Sequence, residues 1–425
     1  MKGLRSFVWS LLFAFSVAAF TRAAELPSAA PEDLGFSTER LARIGPVIKG
    51  EIEKGQYPGA VMLVARKGKI VYFDSIGQLD PANGKPMTKS AIFRLYSMTK
   101  PYTSVAAMML MEEGRLRLTD PVAKYIPAFA KLEVSVASID PYTGATKYAN
   151  APVDREINIQ DLLRHTSGFV YGPYTSHPKV KELYAKEGVD WKDVTPAEQI
   201  ERLAKVPLAH QPGTTFEYSL STDVLGRVIE AISGVPLGQF IRERIFTPLG
   251  MTDSAFIVAP EKRDRLAQPF ATDKATNTPI SLLDVTVAQK NDAGGAGSVG
   301  TASDYARFLQ MMINSGELDG VRLLSRTTVK YMTADHLGDA KASGATTLPA
   351  GTGFGLGFAV RRETGRFEVT GNAGEYYWAG AAGTGFYVDP KEDLICVWMT
   401  QGQPGMARRY DRYLFKQMVY QAIND

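Results

Sequence analysis

Ser97-Met98-Thr99-Lys100 places a hydroxyl and a primary amine three residues apart at the head of an apolar run. On a helix, residues i and i+3 share a face with their β-carbons about 5–6 Å apart. The lysine amine then reaches the serine hydroxyl, which is the minimum machinery of a serine nucleophile activated by lysine. The same four-residue pattern recurs at Ser176-His177-Pro178-Lys179, so the surroundings must choose between the copies. After Lys100, the positions Met98, Tyr102, Val105 and Met109 follow the i, i+4, i+7, i+11 spacing of a buried helix stripe, and Gly114 suits a C-terminal cap. The second copy encloses Pro178 and follows Gly172-Pro173, so it reads as loop or turn. Ser97 is the favoured nucleophile.

Pro101 is tolerated in a helix's first turn but not deeper, which puts Ser97 at or near the helix start. First-turn N–H groups lack intrahelical partners and lie at the positive end of the dipole. The Ser97 N–H is therefore placed to donate to an oxyanion formed at its own hydroxyl.

The elements that must hold this turn belong to an ordinary globular chain of 425 residues, 45% hydrophobic and 22% charged, long enough for two core-bearing units or one domain with an insertion. The net charge of +3 comes from 48 basic and 45 acidic residues that are interleaved, with no single-sign run that would track a nucleic-acid backbone. Lys2 and Arg5, the apolar run Phe7 to Phe20 and the small residues Ala23-Ala24 form a secretory signal pattern, with cleavage expected after Ala23. The apolar run is shorter than the about 20 residues that span a bilayer, so no stable membrane insertion is expected after cleavage. The mature chain is expected in the periplasm or outside the cell. Cys396, the sole cysteine, sits in the strand-like Leu394 to Met399 and reads as a small buried hydrophobe.

Ser37 is a candidate N-cap for a helix carrying Leu41, Ile44, Ile48 and Ile52, and strands are expected at Ala60 to Ala65 and Lys69 to Phe73. Further strands are expected at Phe367 to Thr370, Gly383 to Val388 and Leu394 to Met399, and a last helix carries Leu414, Phe415, Met418, Val419 and Ala422. The middle reads as helical at Pro196 to Lys205, Asp223 to Ser233 and Thr301 to Asn314, while Lys131 to Ile157 and Phe169 to Trp191 show no clear periodicity. The Gly351 to Gly357 run alternates at period two and reads as a loop feeding a strand. This order predicts an α+β chain: residues 25–115 and 297–425 form one domain with an antiparallel sheet, and residues 116–296 form a mainly helical insertion. Clefts form where such units meet.

Three more segments follow in order: Asp161-Leu162-Leu163-Arg164-His165-Thr166-Ser167-Gly168, Tyr218-Ser219-Leu220 and Trp378-Ala379-Gly380. With the tetrad they resemble the β-lactamase-related serine hydrolases, and among these the family VIII carboxylesterases, which share the fold of class C β-lactamases and D,D-peptidases. The resemblance runs from about Leu34 to the C-terminus and includes the Gly294-Gly295-Ala296-Gly297 loop. It implies Ser97 as nucleophile, Lys100 as general base or its partner, and Tyr218 as the second base that passes the proton to the leaving group. It also puts Trp378-Ala379-Gly380 on an edge strand beside the nucleophile, with the Ala381 N–H completing the oxyanion hole and Trp378, Gly380 and Leu220 facing substrate. An ordinary lysine titrates near 10.4 and a tyrosine near 10. Neither is a base at neutral pH until its surroundings change, and the sequence leaves open which of the two is deprotonated.

Two departures from the β-lactamase pattern bear on substrate. Trp378 stands where penicillin-recognising relatives carry lysine or histidine, and an indole cannot hold a carboxylate by charge. Leu220 stands where many relatives carry asparagine, and it cannot hydrogen-bond an amide. Both point from a lactam toward a neutral ester, and the expected activity is hydrolysis of carboxylic esters, of short acyl chain, with no cofactor. A β-lactamase or D,D-peptidase is the enzymatic alternative, and a non-catalytic penicillin-recognising protein is the alternative of another class. His165 reads as structural, because its segment resembles a helix end and turn and no G-x-S-x-G elbow occurs. The other histidines, His177, His210 and His336, lack metal-ligand spacing.

Overall fold

In β1 (Gly59–Arg66) and β8 (Leu394–Thr400) every residue is buried, because the alternating side chains of both strands meet a covered face on each side of one sheet. The computed structural model describes residues 25–274, 276–344, 348–402 and 409–425. Its main sheet also contains β2 (Lys69–Asp80), β3 (Lys85–Pro86), β4 (Thr352–Phe354), β5 (Ala359–Arg361), β6 (Tyr376–Ala379) and β7 (Gly385–Asp389). The strand order is β4-β5-β6-β7-β8-β1-β2-β3, with each neighbouring pair antiparallel. The N-terminal hairpin β1–β2 thus joins the C-terminal strands through the β1–β8 pairing, in which Leu63 faces Val397.

One face carries Ala60, Met62, Val64, Cys396 and Trp398 against Ile44 and Ile48 of α1 (Ile44–Glu53) and Phe415 and Val419 of α5 (Arg409–Tyr420). The other carries Val61, Leu63, Val397 and Met399 into the large core around α2 (Lys100–Glu112), α3 (Ser221–Ser233) and α4 (Ala302–Ile313). This second face positions the site, since α2 is the helix that follows Ser97. It is buried at every residue from Lys100 to Leu110.

Several expected elements shift. Ser37 does cap a helix, accepting from the Arg40 N–H at 3.2 Å, but that helix ends at Leu41 and α1 restarts at Ile44. Phe367 to Thr370 is not a strand. The Arg361 guanidinium binds the carbonyls of Val369 and Gly371 at 2.7 and 3.0 Å, so this segment is held by a buried side chain instead of a ladder. The run at Gly351 to Gly357 is itself partly strand, forming β4 and turning toward β5. Lys131 to Ile157 contains an antiparallel hairpin, Glu133–Ile139 with Thr146–Pro152, whose outward positions are exposed and so gave no apolar alternation. The secretory signal pattern lies outside the described residues. Cys396 is fully buried in β8, where burial raises its thiol pKa.

Candidate active site

Ser97 lies in a single 3-10 turn, Tyr96–Thr99, that runs directly into α2. Pro101 occupies the first turn of α2, the place where its missing N–H costs nothing. The Leu95 N–H before this turn donates to Ser298 O at 2.9 Å, and Thr99 Oγ1 sits 2.7 Å from Ser298 Oγ. The Ser97 turn is therefore held on both flanks.

The Lys100 side chain is buried, and its Nζ lies 3.3 Å from Ser97 Oγ, 3.1 Å from the Tyr171 hydroxyl and 2.8 Å from Gly295 O. Three neighbours match the three non-carbon positions of a tetrahedral nitrogen. As an ammonium, Lys100 donates to all three. As an amine, it donates to Tyr171 and Gly295 and turns its lone pair to Ser97, so gaining or losing the proton needs no movement. The Gly295 peptide connects this amine to a buried carboxylate, its N–H donating to Asp223 Oδ1 at 3.0 Å. Burial raises the Asp223 pKa and the Lys100 charge opposes that rise. Glycine is required here: a β-carbon on residue 295 would sit 2.4 Å from Asp223 Oδ2. Thr103 Oγ1 binds Gly294 O at 2.8 Å, which pins the rest of the loop.

Tyr218 lies just before α3, with its ring 4.6 Å from Lys100 Nζ. The indole N–H of Trp378 in β6 donates to the Tyr218 hydroxyl at 3.2 Å, and Tyr171 packs on the same ring at 5.5 Å. Behind it, a buried chain of polar contacts joins two of the motif segments. Ser167 Oγ and Ser219 Oγ each lie 2.7 Å from Ser221 Oγ, and the Ser219 N–H donates to His165 Nδ1 at 3.3 Å. Since Nδ1 accepts, the ring proton is on Nε2. Burial, and then the Lys100 charge, hold the His165 pKa well below its usual value. His165 is a neutral support at φ +56°, packed 4.8 Å from the Tyr218 ring.

Pairing between β5 and β6 stops at Tyr377, so β6 is not an edge strand as expected, but its Trp378–Ala379 half extends past its neighbour. Gly380 is required by close approach: a β-carbon there would lie 2.3 Å from Leu95 O and 2.2 Å from Thr384 Oγ1. Ala381 is exposed at the following turn and, with Ser97, Tyr171, Tyr218 and Trp378, lines a cavity of about 360 Å³.

The structure thus brings Ser97, Lys100, Tyr218, Trp378, Gly380 and Ala381 together. It does not bring Leu220 to the cleft: Leu220 is 1% exposed at the N-cap of α3, with its side chain in the large core, so the substrate-facing expectation is corrected. The other S-x-x-K copy is also corrected in part. His177 caps a helix, Pro178–Glu187, that contains Lys179, but Lys179 pairs with Glu182 and Ser176 is exposed outside the helix. Tyr171 and Asp223 were missed. Asp223 had one signal, an acid in the first turn of a helix whose Val224, Leu225, Val228 and Ile229 are core residues, while Tyr171 lies in a segment without periodicity. Among the described residues, no group of three His, Cys, Asp or Glu side chains is arranged to hold a metal.

A large antiparallel sheet covered by a helical core defines a class of fold, and the comparisons agree with that class. The family described as Beta-lactamase matches residues 45–418, and the chain belongs to this family. It is 30% identical over 377 residues to Esterase EstB of Burkholderia gladioli, covering 84% of this chain and 90% of the relative. It is 28% identical over 404 residues to a putative D-alanyl-D-alanine carboxypeptidase of Escherichia coli K12, covering 88% and 85%. Among solved structures it resembles EstCE1, described as a hydrolase with promiscuous acyltransferase activity, at 27% identity and a TM-score of 0.73 over 90% of this chain and 99% of that one.

Proposed function

We propose that the protein is an exported serine hydrolase that cleaves small carboxylic esters through an acyl-Ser97 intermediate. The observation that carries this reading is Lys100 Nζ, 3.3 Å from Ser97 Oγ with its two other positions held by Tyr171 and Gly295. In acylation, Ser97 Oγ attacks the ester carbonyl as its proton passes to the Lys100–Tyr218 pair. The N–H groups of Ser97 and Ala381 hold the oxyanion, each worth on the order of 3 kcal/mol. Tyr218 returns the proton to the departing alkoxide, and water then reverses the sequence to release the acid.

The ester class rests on two supports. Relatives that cover most of the chain include an esterase. Trp378 offers no positive charge for a substrate carboxylate, and its N–H is already engaged by Tyr218. A largely apolar cavity of about 360 Å³ beside Ser97 has room for a small-molecule ester. Export rests on the N-terminal signal pattern alone. The D,D-peptidase reading has its own support in the E. coli relative's description.

The test is hydrolysis of p-nitrophenyl acetate, p-nitrophenyl octanoate, nitrocefin and a D-alanyl-D-alanine peptide by wild-type and Ser97→Ala protein. Ester turnover that exceeds the others and vanishes in the variant supports the proposal, with acetate ahead of octanoate. Dominant peptide or nitrocefin turnover transfers the site to the alternatives.

A further inference from the structure

Tyr96, directly before the nucleophile, holds φ at +46°, in the left-handed region that aromatic residues avoid. Its ring is buried in a small cluster with Ala296 and Ala382 and packs edge-on to Trp191 at 6.3 Å. Its hydroxyl accepts the Leu283 N–H at 2.9 Å. The carbonyl of the same residue, Leu283, accepts from Arg94 Nε at 2.6 Å. Both backbone polar groups of residue 283 are therefore held by side chains just ahead of Ser97. Arg94 is fixed in turn by Gln401, whose side chain accepts from the Arg94 N–H at 3.1 Å and donates to the Arg94 carbonyl at 3.3 Å. The proton-transfer steps above do not use the Tyr96 phenol, and burial keeps it protonated.

We propose that Tyr96 is a positioning residue whose phenol, anchored on the Leu283 N–H, keeps its own backbone in the left-handed turn that aims Ser97 at Lys100. A strained conformation persists only where the surroundings over-determine it, and this anchor supplies that constraint. The proposal rests on Ser97 being the nucleophile.

The experiment measures fluorophosphonate labelling rates and ester kcat and KM for wild-type, Tyr96→Phe and Tyr96→Gly protein, with Ser97→Ala as control. Phenylalanine keeps the ring but leaves the Leu283 N–H unpaired, so labelling and kcat are expected to fall about tenfold together, with KM within about twofold of wild type. Glycine removes the backbone strain along with the anchor. Because glycine holds a positive φ without an anchor, it is expected to recover part of the labelling lost in Tyr96→Phe, whereas a fold-only role for Tyr96 would leave labelling of the folded protein unchanged in both. Wild-type labelling by Tyr96→Phe, or labelling of folded Tyr96→Gly protein no faster than that of Tyr96→Phe, overturns the proposal. Labelling of Ser97→Ala protein would overturn the nucleophile assignment itself and this proposal with it, a result that the Tyr96 variants cannot produce.

Discussion

The Trp378 indole N–H donates to the Tyr218 hydroxyl at 3.2 Å, with the two rings 5.1 Å apart. A residue that stands where the resemblance expects a carboxylate-binding cation thus also donates to the hydroxyl of the proposed second base. Tyr171 packs 5.5 Å from the same ring and accepts from Lys100. Lys100 and Tyr218, the proposed bases, are each contacted by an aromatic residue outside the Ser-Lys-Tyr set.

Removing either support should slow chemistry more than binding. Trp378→Phe deletes one hydrogen bond to Tyr218, and Tyr171→Phe leaves a Lys100 proton without its acceptor. Each is expected to lower kcat by about tenfold or more with little change in KM, read by steady-state kinetics on p-nitrophenyl acetate. An unchanged kcat in both would mean that these contacts do not serve the reaction.

Gly380→Ala forces a β-carbon against Leu95 O and Thr384 Oγ1, neither of which is the end of a flexible chain. The strand must retreat from the nucleophile turn. A displacement near 1 Å costs about 100-fold in rate, so kcat/KM is expected to fall by about that factor. Overpacking should also cost about 1–3 kcal/mol of stability, read by chemical denaturation.

His165 gives the account a pH signature. Its folded pKa is depressed by burial and by Lys100, so below the unfolded value of about 6.5 the unfolded chain binds the extra proton and stability falls as pH drops. Above about 6.5 that contribution is fully present. His165→Gln is expected to lose stability at neutral pH but to show a flatter decline between about pH 7.5 and 5.5, measured by thermal melts. The shape of its kcat/KM profile should stay that of wild type, because the imidazole does not titrate in catalysis.

Much of this was legible in the sequence for a physical reason. Ser97 and Lys100 are held by helix spacing, which is local, and Pro101 marks where the helix begins. Strands β1, β7 and β8 read out because their side chains alternate between two covered faces. The misses came from side-chain contacts that spacing along one element does not encode. Leu220 takes its motif position from the chain but its burial from the α3 core, and the 367–370 segment looks like a strand until the buried Arg361 side chain claims the carbonyls of Val369 and Gly371. Tyr171 and Asp223 reach Lys100 only through folded contacts, one directly and one through the Gly295 peptide. The division at residues 115/116 and 296/297 remains a proposal drawn from element order.

The central claim is that Ser97 becomes acylated. The direct measurement is peptide mass spectrometry after rapid acid quench of the enzyme with p-nitrophenyl acetate, supported by the Tyr218→Phe variant, in which the acyl-enzyme should persist longer. The account predicts an acetyl group on the peptide that carries Ser97, absent from Ser97→Ala protein. An acetyl group on Ser176 or on any other residue, with Ser97 unmodified during turnover, would contradict it.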